Sequence, residues 1–218
     1  MASIGLISDV HVVVDMDHYS ISYTSIETRS LSSCVCLLLD GIIGTRPFCF
    51  LSHISRHQEL EGDNLYHLLV DLLRNLSEQL NTCLQINSLS SEKTQIKKLK
   101  LLVGGGPIGH HVLARKSFVM LNDNSDSIVN EIESLTSEKD VIYLVNELLN
   151  SVIVIPPITY LTTHEHETKG LKSHRIFQPP CVLLIYNCQS KKGLMCVEWA
   201  ASSNPLYMAF IFIKNLFS

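Results

Sequence analysis

Apolar positions recur with two periods along this chain. Over residues 64–83, Leu65, Leu68, Leu69, Leu72, Leu73, Leu76 and Leu80 follow an i, i+3, i+4, i+7 spacing, one stripe of an amphipathic helix. Asp63 or Asn64 can cap its start by accepting orphan backbone N–H bonds. The same period over 138–150 puts Val141, Leu144, Val145, Leu148 and Leu149 on one stripe, with Ser137 as its N-cap. Pro156-Pro157 stops the strand expected over 152–155. Short β-branched and aromatic runs predict further strands over 10–14, 19–23, 35–39, 48–54, 99–103, 182–186 and 194–199. Asp40-Gly41 and Gly44 mark a turn between the third and fourth of these. Residues 187–193 have turn composition, so the last two strands read as an antiparallel hairpin. Strands come mostly as hairpins, with one long helix crossing between 48–54 and 99–103. The expected fold class is therefore α+β, a sandwich of mixed β-sheets flanked by helices. The Ser- and Lys-rich stretch 87–100 reads as a surface loop leading into a strand.

Composition narrows the class. The chain has 218 residues, 46% hydrophobic and 17% charged, which suits a single folded domain and excludes a disordered or collagen-like chain. At this length ~70% of the extended-chain surface can be buried, so no metal or disulfide staple is needed. A net charge of −4 argues against a dedicated nucleic-acid binder, because phosphate neutralisation needs clustered Lys and Arg. The seven cysteines are an odd number, and residues 1–9 lack the basic segment of a secretory signal. A reducing, cytosol-like compartment is expected, and a protein delivered into a host cell's cytosol fits the same composition. No apolar run reaches the ~18–20 residues of a membrane span. The closest, 206–217, is broken by Lys214 and reads as core, so no membrane partner is expected.

One cysteine stands where chemistry can happen. In Leu31-Ser32-Ser33-Cys34-Val35 a turn of small residues delivers Cys34 to the first position of a strand. A thiol there can face a cleft, and its thiolate can attack a carbonyl carbon. It needs a base or cation nearby to lower its pKa from about 8.5. His53 ends the next strand, and antiparallel pairing brings the end of one strand beside the start of the other. Thr28 lies six residues before Cys34, and its hydroxyl or carbonyl oxygen can accept the other ring N–H of His53. Backbone N–H groups around Ser33 and Cys34 can form an oxyanion hole. The competing reading is packing, since cysteine is among the most buried residue types. Cys36, Cys181, Cys188, Cys196 and Trp199 are read as core.

Other motifs compete. Gly104-Gly105-Gly106-Pro107-Ile108-Gly109 follows an apolar strand and fits G-x-G-x-x-G, with Asp123 placed as a ribose-binding acid. It lies mid-chain without regular strand–helix alternation, and the plainer reading is a tight turn with close backbone packing. His164-Glu165-His166-Glu167 and His110-His111 carry metal-ligating side chains without ligand spacing on a defined helix, and are read as surface loops.

The ordered set Thr28-x5-Cys34-Val35, strand, Gly-containing turn and strand ending in His53 resembles the chemoreceptor glutamine deamidases of the CheD type. The resemblance continues through the long helix, the strand running into Gly104-Gly105 and the final hairpin, over roughly residues 10–199. A strand with Gly-Gly at that place is also similar to protein N-terminal asparagine amidohydrolase. The Thr, Cys and His set is similar to the catalytic domain of cytotoxic necrotizing factor and to the Burkholderia lethal factor. Ser32-Ser33 stands where CheD has Gly-Ser, and the Cys-to-His spacing is slightly longer. The resemblance implies a CheD-like sandwich and a cysteine hydrolase that deamidates a protein glutamine to glutamate with release of ammonia. Cys34 is then the nucleophile, His53 the acid and base, Thr28 the group that orients His53, and Ser33 part of the oxyanion hole. No metal or organic cofactor is required, and the partner is a protein bearing the target glutamine. A CheD-like enzyme would act on chemoreceptors, a translocated effector or toxin on a regulator of its host. Two alternatives stay open: a dinucleotide-binding oxidoreductase built on the Gly104–Gly109 turn, and a non-catalytic interaction protein on the same fold.

Overall fold

The computed structural model describes residues 9–31, 34–55, 64–86, 96–105, 110–122, 126–155, 181–199 and 207–213. Its centre is a hairpin of β4 (Val35–Ile43) and β5 (Arg46–Ile54), as the apolar runs on either side of a glycine-bearing turn require. The expected turn at Asp40-Gly41 is a correction: β4 runs through both residues to Ile43, and Gly44-Thr45 turn the chain, with Gly44 at φ 62°. Turn composition misleads here because both residues have partners across the strands. Lys191 Nζ and Tyr186 Oη donate to the Asp40 carboxylate, and a Cβ on Gly41 would stand 2.8 Å from the Phe48 ring.

One sheet has the order β2-β5-β4-β6-β7, adding β2 (Tyr19–Ser22), β6 (Ile96–Gly105) and β7 (Val152–Val154). Only its β6–β7 pair is parallel. The other has the order β1-β3-β8-β9-β10, from β1 (Val12–Val14), β3 (Ser25–Thr28), β8 (Cys181–Asn187), β9 (Lys192–Trp199) and β10 (Tyr207–Ile213). There only β1–β3 is parallel. The helices are α1 (Leu65–Ile86), α2 (His110–Val119), α3 (Asp126–Leu135) and α4 (Lys139–Leu148). The molecule is mixed α+β.

Side-chain alternation on β4 explains the layering. Val35, Leu37 and Leu39 pack with Phe48, Phe50, Leu101 and Val103 against Leu69, Leu73 and Leu76 of α1 and Val141, Leu144 and Val145 of α4. Cys36 and Leu38 face the other way, with Cys49, Leu51 and Leu102, onto Ile26, Leu184, Tyr186 and Met195 of the second sheet. Each leucine or phenylalanine buried so contributes about 1.5–3 kcal/mol relative to exposure.

The two anticipated helices form, with differences at their ends. Asn64 caps α1 by accepting the Tyr66 N–H at 2.9 Å, and Asp63 lies outside the described residues. For α4 the expected Ser137 cap is replaced: Glu138 is the N-cap residue, and its own N–H goes to Thr136 Oγ1 at 3.2 Å. Four elements escaped the reading of the sequence. Strand β3 carries polar letters, yet Glu27 and Thr28 are buried because each has partners. Helices α2 and α3 were passed over, although α3 buries Ile128 and Ile132 at i, i+4. Within the apolar run 206–217, residues Tyr207–Ile213 form strand β10. Among the described residues no helix is long and apolar enough to cross a membrane.

Candidate active site

The β4–β5 register decides which side chains meet. Val35 pairs with Ile54, and Cys36 pairs with His53. Directly opposed residues project to the same face, so His53 lies on the inter-sheet side, straight across from Cys36. Cys34, two residues earlier and so two register positions from the Cys36–His53 pair, belongs to the same inter-sheet cluster. The expected pairing of Cys34 with His53 is thus replaced in the register by Cys36 with His53.

Across the gap, β3 of the second sheet presents Thr28, whose Oγ1 lies 2.7 Å from His53 Nδ1 in the buried interior. The same hydroxyl donates to the Val14 carbonyl at 2.8 Å. A hydroxyl has one hydrogen, so with it given to Val14 the Thr28 oxygen accepts from Nδ1–H. The network therefore assigns the proton to Nδ1 and the lone pair to Nε2. Burial also holds the His53 pKa below its ordinary value, against the opposing pull of Asp17 and Asp15. The imidazole is neutral at neutral pH, with Nε2 able to accept a proton. Nε2 is buried and has no hydrogen-bond partner among the described residues, Cys34 included.

The turn between β1 and β2 holds the backbone of His53. Asp17 N–H donates to the His53 carbonyl at 2.9 Å, and His53 N–H donates to the His18 carbonyl at 3.0 Å. The Asp17 carboxylate accepts Ser55 N–H at 3.0 Å, so the end of β5 is tied on both sides of the histidine. No signal in the sequence pointed to Val14 or Asp17, because backbone carbonyls and turn carboxylates carry no motif.

Gly105 has a definite task beside Cys34, while Gly104 lies against Met195 and Cys36. Gly105 adopts φ +85°, and a Cβ there would meet the Cys34 carbonyl oxygen at 2.4 Å. Only glycine lets β6 end against the turn that delivers Cys34. Arg115 of α2 donates Nη2 to the Gly105 carbonyl from the other side. Gly104 and Gly105 end an antiparallel partner of β4. Residues 106–109 and Asp123 lie outside the described residues, as do Ser33 and the 164–167 cluster. His110 and His111 begin α2. Among the described residues no group of three or more His, Cys, Asp or Glu is placed to hold a metal.

The five cysteines with described side chains are all buried, and none is in a disulfide. Burial drives the Cys36 thiol up to about 12, so it stays protonated although it faces His53. The expectation that Cys34 opens onto a cleft is corrected: Cys34 is 1% exposed and His53 2%. Two surface hollows among the described residues, of about 640 and 310 Å³, lie on the helical layer against α1, and neither Cys34 nor His53 lines them. No family model matches the chain, and no curated protein matches it.

Proposed function

We propose that this protein is a cysteine hydrolase that deamidates a protein glutamine, on a sandwich of the CheD and cytotoxic-necrotizing-factor type. The observation that carries the reading is the Thr28–His53 hydrogen bond, whose polarity leaves the Nε2 lone pair on the face that Cys34 and Cys36 share. Of the two thiols, Cys34 is assigned as nucleophile. Cys36 sits inside the sheet with its proton held tightly, whereas Cys34 leads into β4 with its carbonyl against Gly105 at the end of β6.

In this mechanism Nε2 takes the Cys34 thiol proton, and the thiolate adds to the carboxamide carbon. Backbone N–H groups near Ser33 and Cys34 hold the oxyanion. The imidazolium returns its proton to the departing ammonia. Water, deprotonated by neutral His53, hydrolyses the thioester and leaves glutamate. Thr28 keeps the ring in the required tautomer throughout. With Cys34 and His53 both closed to solvent, the reaction requires an opening step before the amide can reach the sulfur.

That closure also favours a second reading, a non-catalytic interaction protein on the same framework. Two measurements separate them. Intact-mass analysis of candidate protein substrates should show a gain of about one dalton per site together with ammonia, both lost in Cys34→Ser and nearly lost in His53→Ala while the fold persists. Iodoacetamide should label Cys34 in the folded protein at a rate above that of Cys36. Ammonia release undiminished in Cys34→Ser would exclude the mechanism. Labelling of Cys34 only on global unfolding would establish the passive scaffold.

A further inference from the structure

We propose that Cys49 and Cys188 form an oxidation site, a dithiol that a peroxide converts into a disulfide joining the two sheets. Cys49 is on β5 of the first sheet, where it pairs with Ser22 of β2. Cys188 directly follows β8 of the second sheet, and its N–H donates to the Thr24 carbonyl at 2.9 Å. The two backbones therefore flank one short stretch of chain, Ser22 to Thr24. Both thiols turn toward the same acceptor: Cys49 Sγ lies 3.5 Å from the Ser22 carbonyl oxygen and Cys188 Sγ 3.8 Å from it. Cys188 Sγ also donates to the Thr24 carbonyl at 3.2 Å. Both sulfurs thus lie within reach of one carbonyl oxygen, close enough for each thiol to act on the other's ionisation.

Their surroundings divide the roles. The neighbouring Cys49 thiol and the charge of Lys191 favour the Cys188 thiolate, against burial and Asp40. Cys49 is pushed strongly the other way, by the neighbouring Cys188 thiol and by burial. Cys188 is accordingly the first to react. Its thiolate attacks one peroxide oxygen, the O–O bond breaks, hydroxide leaves and takes up a proton, and Cys188 becomes a sulfenic acid. The Cys49 sulfur then attacks the sulfenic sulfur and loses its proton, and water departs as the S–S bond forms. Two thiols and one hydrogen peroxide give one disulfide and two waters; the sulfurs are oxidised and the peroxide oxygens reduced. Both residues are buried, so a small neutral oxidant such as hydrogen peroxide reaches them through local opening, and a bulky disulfide such as oxidised glutathione is a poor oxidant here.

The proposal is independent of chemistry at Cys34 and is tested without an activity assay. The reduced full chain is treated with hydrogen peroxide under native conditions, alkylated, digested without reductant and mapped. The expected result is a Cys49–Cys188 linked peptide, a loss of two hydrogens from the intact mass, and a Tm raised by several degrees. Cys188→Ser should remove the linked peptide and the Tm shift together. Treated folded protein that yields no Cys49–Cys188 peptide would overturn the proposal. So would an unchanged Tm gain in Cys49→Ser.

Discussion

The single hydrogen on the Thr28 hydroxyl goes to the Val14 carbonyl, and this leaves Nδ1–H of His53 as the donor to Thr28. Thr28→Val keeps the shape and removes both partners. A buried N–H and a buried carbonyl then lose their bonds, at about 1–3 kcal/mol, read as a lowered denaturant midpoint. Ammonia release should fall with it, and Thr28→Ser should restore both. His53 gives a pH signature of its own. Its folded pKa lies below the ordinary 6.5, so as the pH drops through 6.5 the unfolded chain takes up a proton that the folded chain does not. Stability from this group is complete above that value and is lost on acidification until the folded pKa is passed. The slope reaches at most about 1.4 kcal/mol per pH unit. Denaturant midpoints at neutral and mildly acidic pH should therefore diverge more in the wild type than in His53→Gln. Equal losses would show that His53 does not titrate in this way. The residue types at this site were legible in the chain, but their hydrogen-bond polarity was not, because it depends on Val14, a backbone carbonyl that only folding brings to Thr28.

Elements differ in how openly they are written. Helix α1 could be read from its leucine stripe, and its cap at Asn64 from the residue type. The β4–β5 hairpin was visible as two apolar runs, yet its register was not. That register places Cys36, rather than Cys34, directly opposite His53. Strand β3 was hidden because its letters are polar. Glu27 is buried only because His11 and Arg29 pair with it. The end of β6 belongs to this scale too. Gly105→Ala forces an L side chain to φ +85° and drives its Cβ onto the Cys34 carbonyl. The left-handed strain alone is about 1–3 kcal/mol. Urea unfolding should shift to lower concentration, and the labelling rate of Cys34 should change as its turn is displaced. A variant with wild-type values in both would show that the close approach is not needed.

Across the whole molecule, the two sheets are joined by apolar packing and, among the described residues, by polar ties that include the Thr28–His53 hydrogen bond and a cluster at Asp40. Asp40 of β4 is buried, and Lys191, in the turn between β8 and β9, donates to both of its oxygens at 2.7 Å. Burial raises the Asp40 pKa, and Lys191 is the first of the groups opposing it. Lys191→Met leaves the carboxylate with Tyr186 as its remaining described donor. Because Lys191 is about a third exposed and partly screened, the expected loss is about 1–3 kcal/mol rather than the larger cost of a sealed pair. Asp40→Asn in the same chain should recover part of it in a double-mutant cycle; no recovery would show that the charge is not the cause. The sequence by itself determined the α+β class, the long helix, the central hairpin and the residue types of the candidate site, since these follow from local periodicity and composition. Tertiary structure alone decided that β3, polar by its letters, enters a sheet, and that His53 meets Thr28 across two sheets. It also decided that Cys34 is closed from solvent and that Gly105 lies under its carbonyl. Each of these depends on contacts between residues far apart in the chain, where no period along the sequence records which surfaces come together.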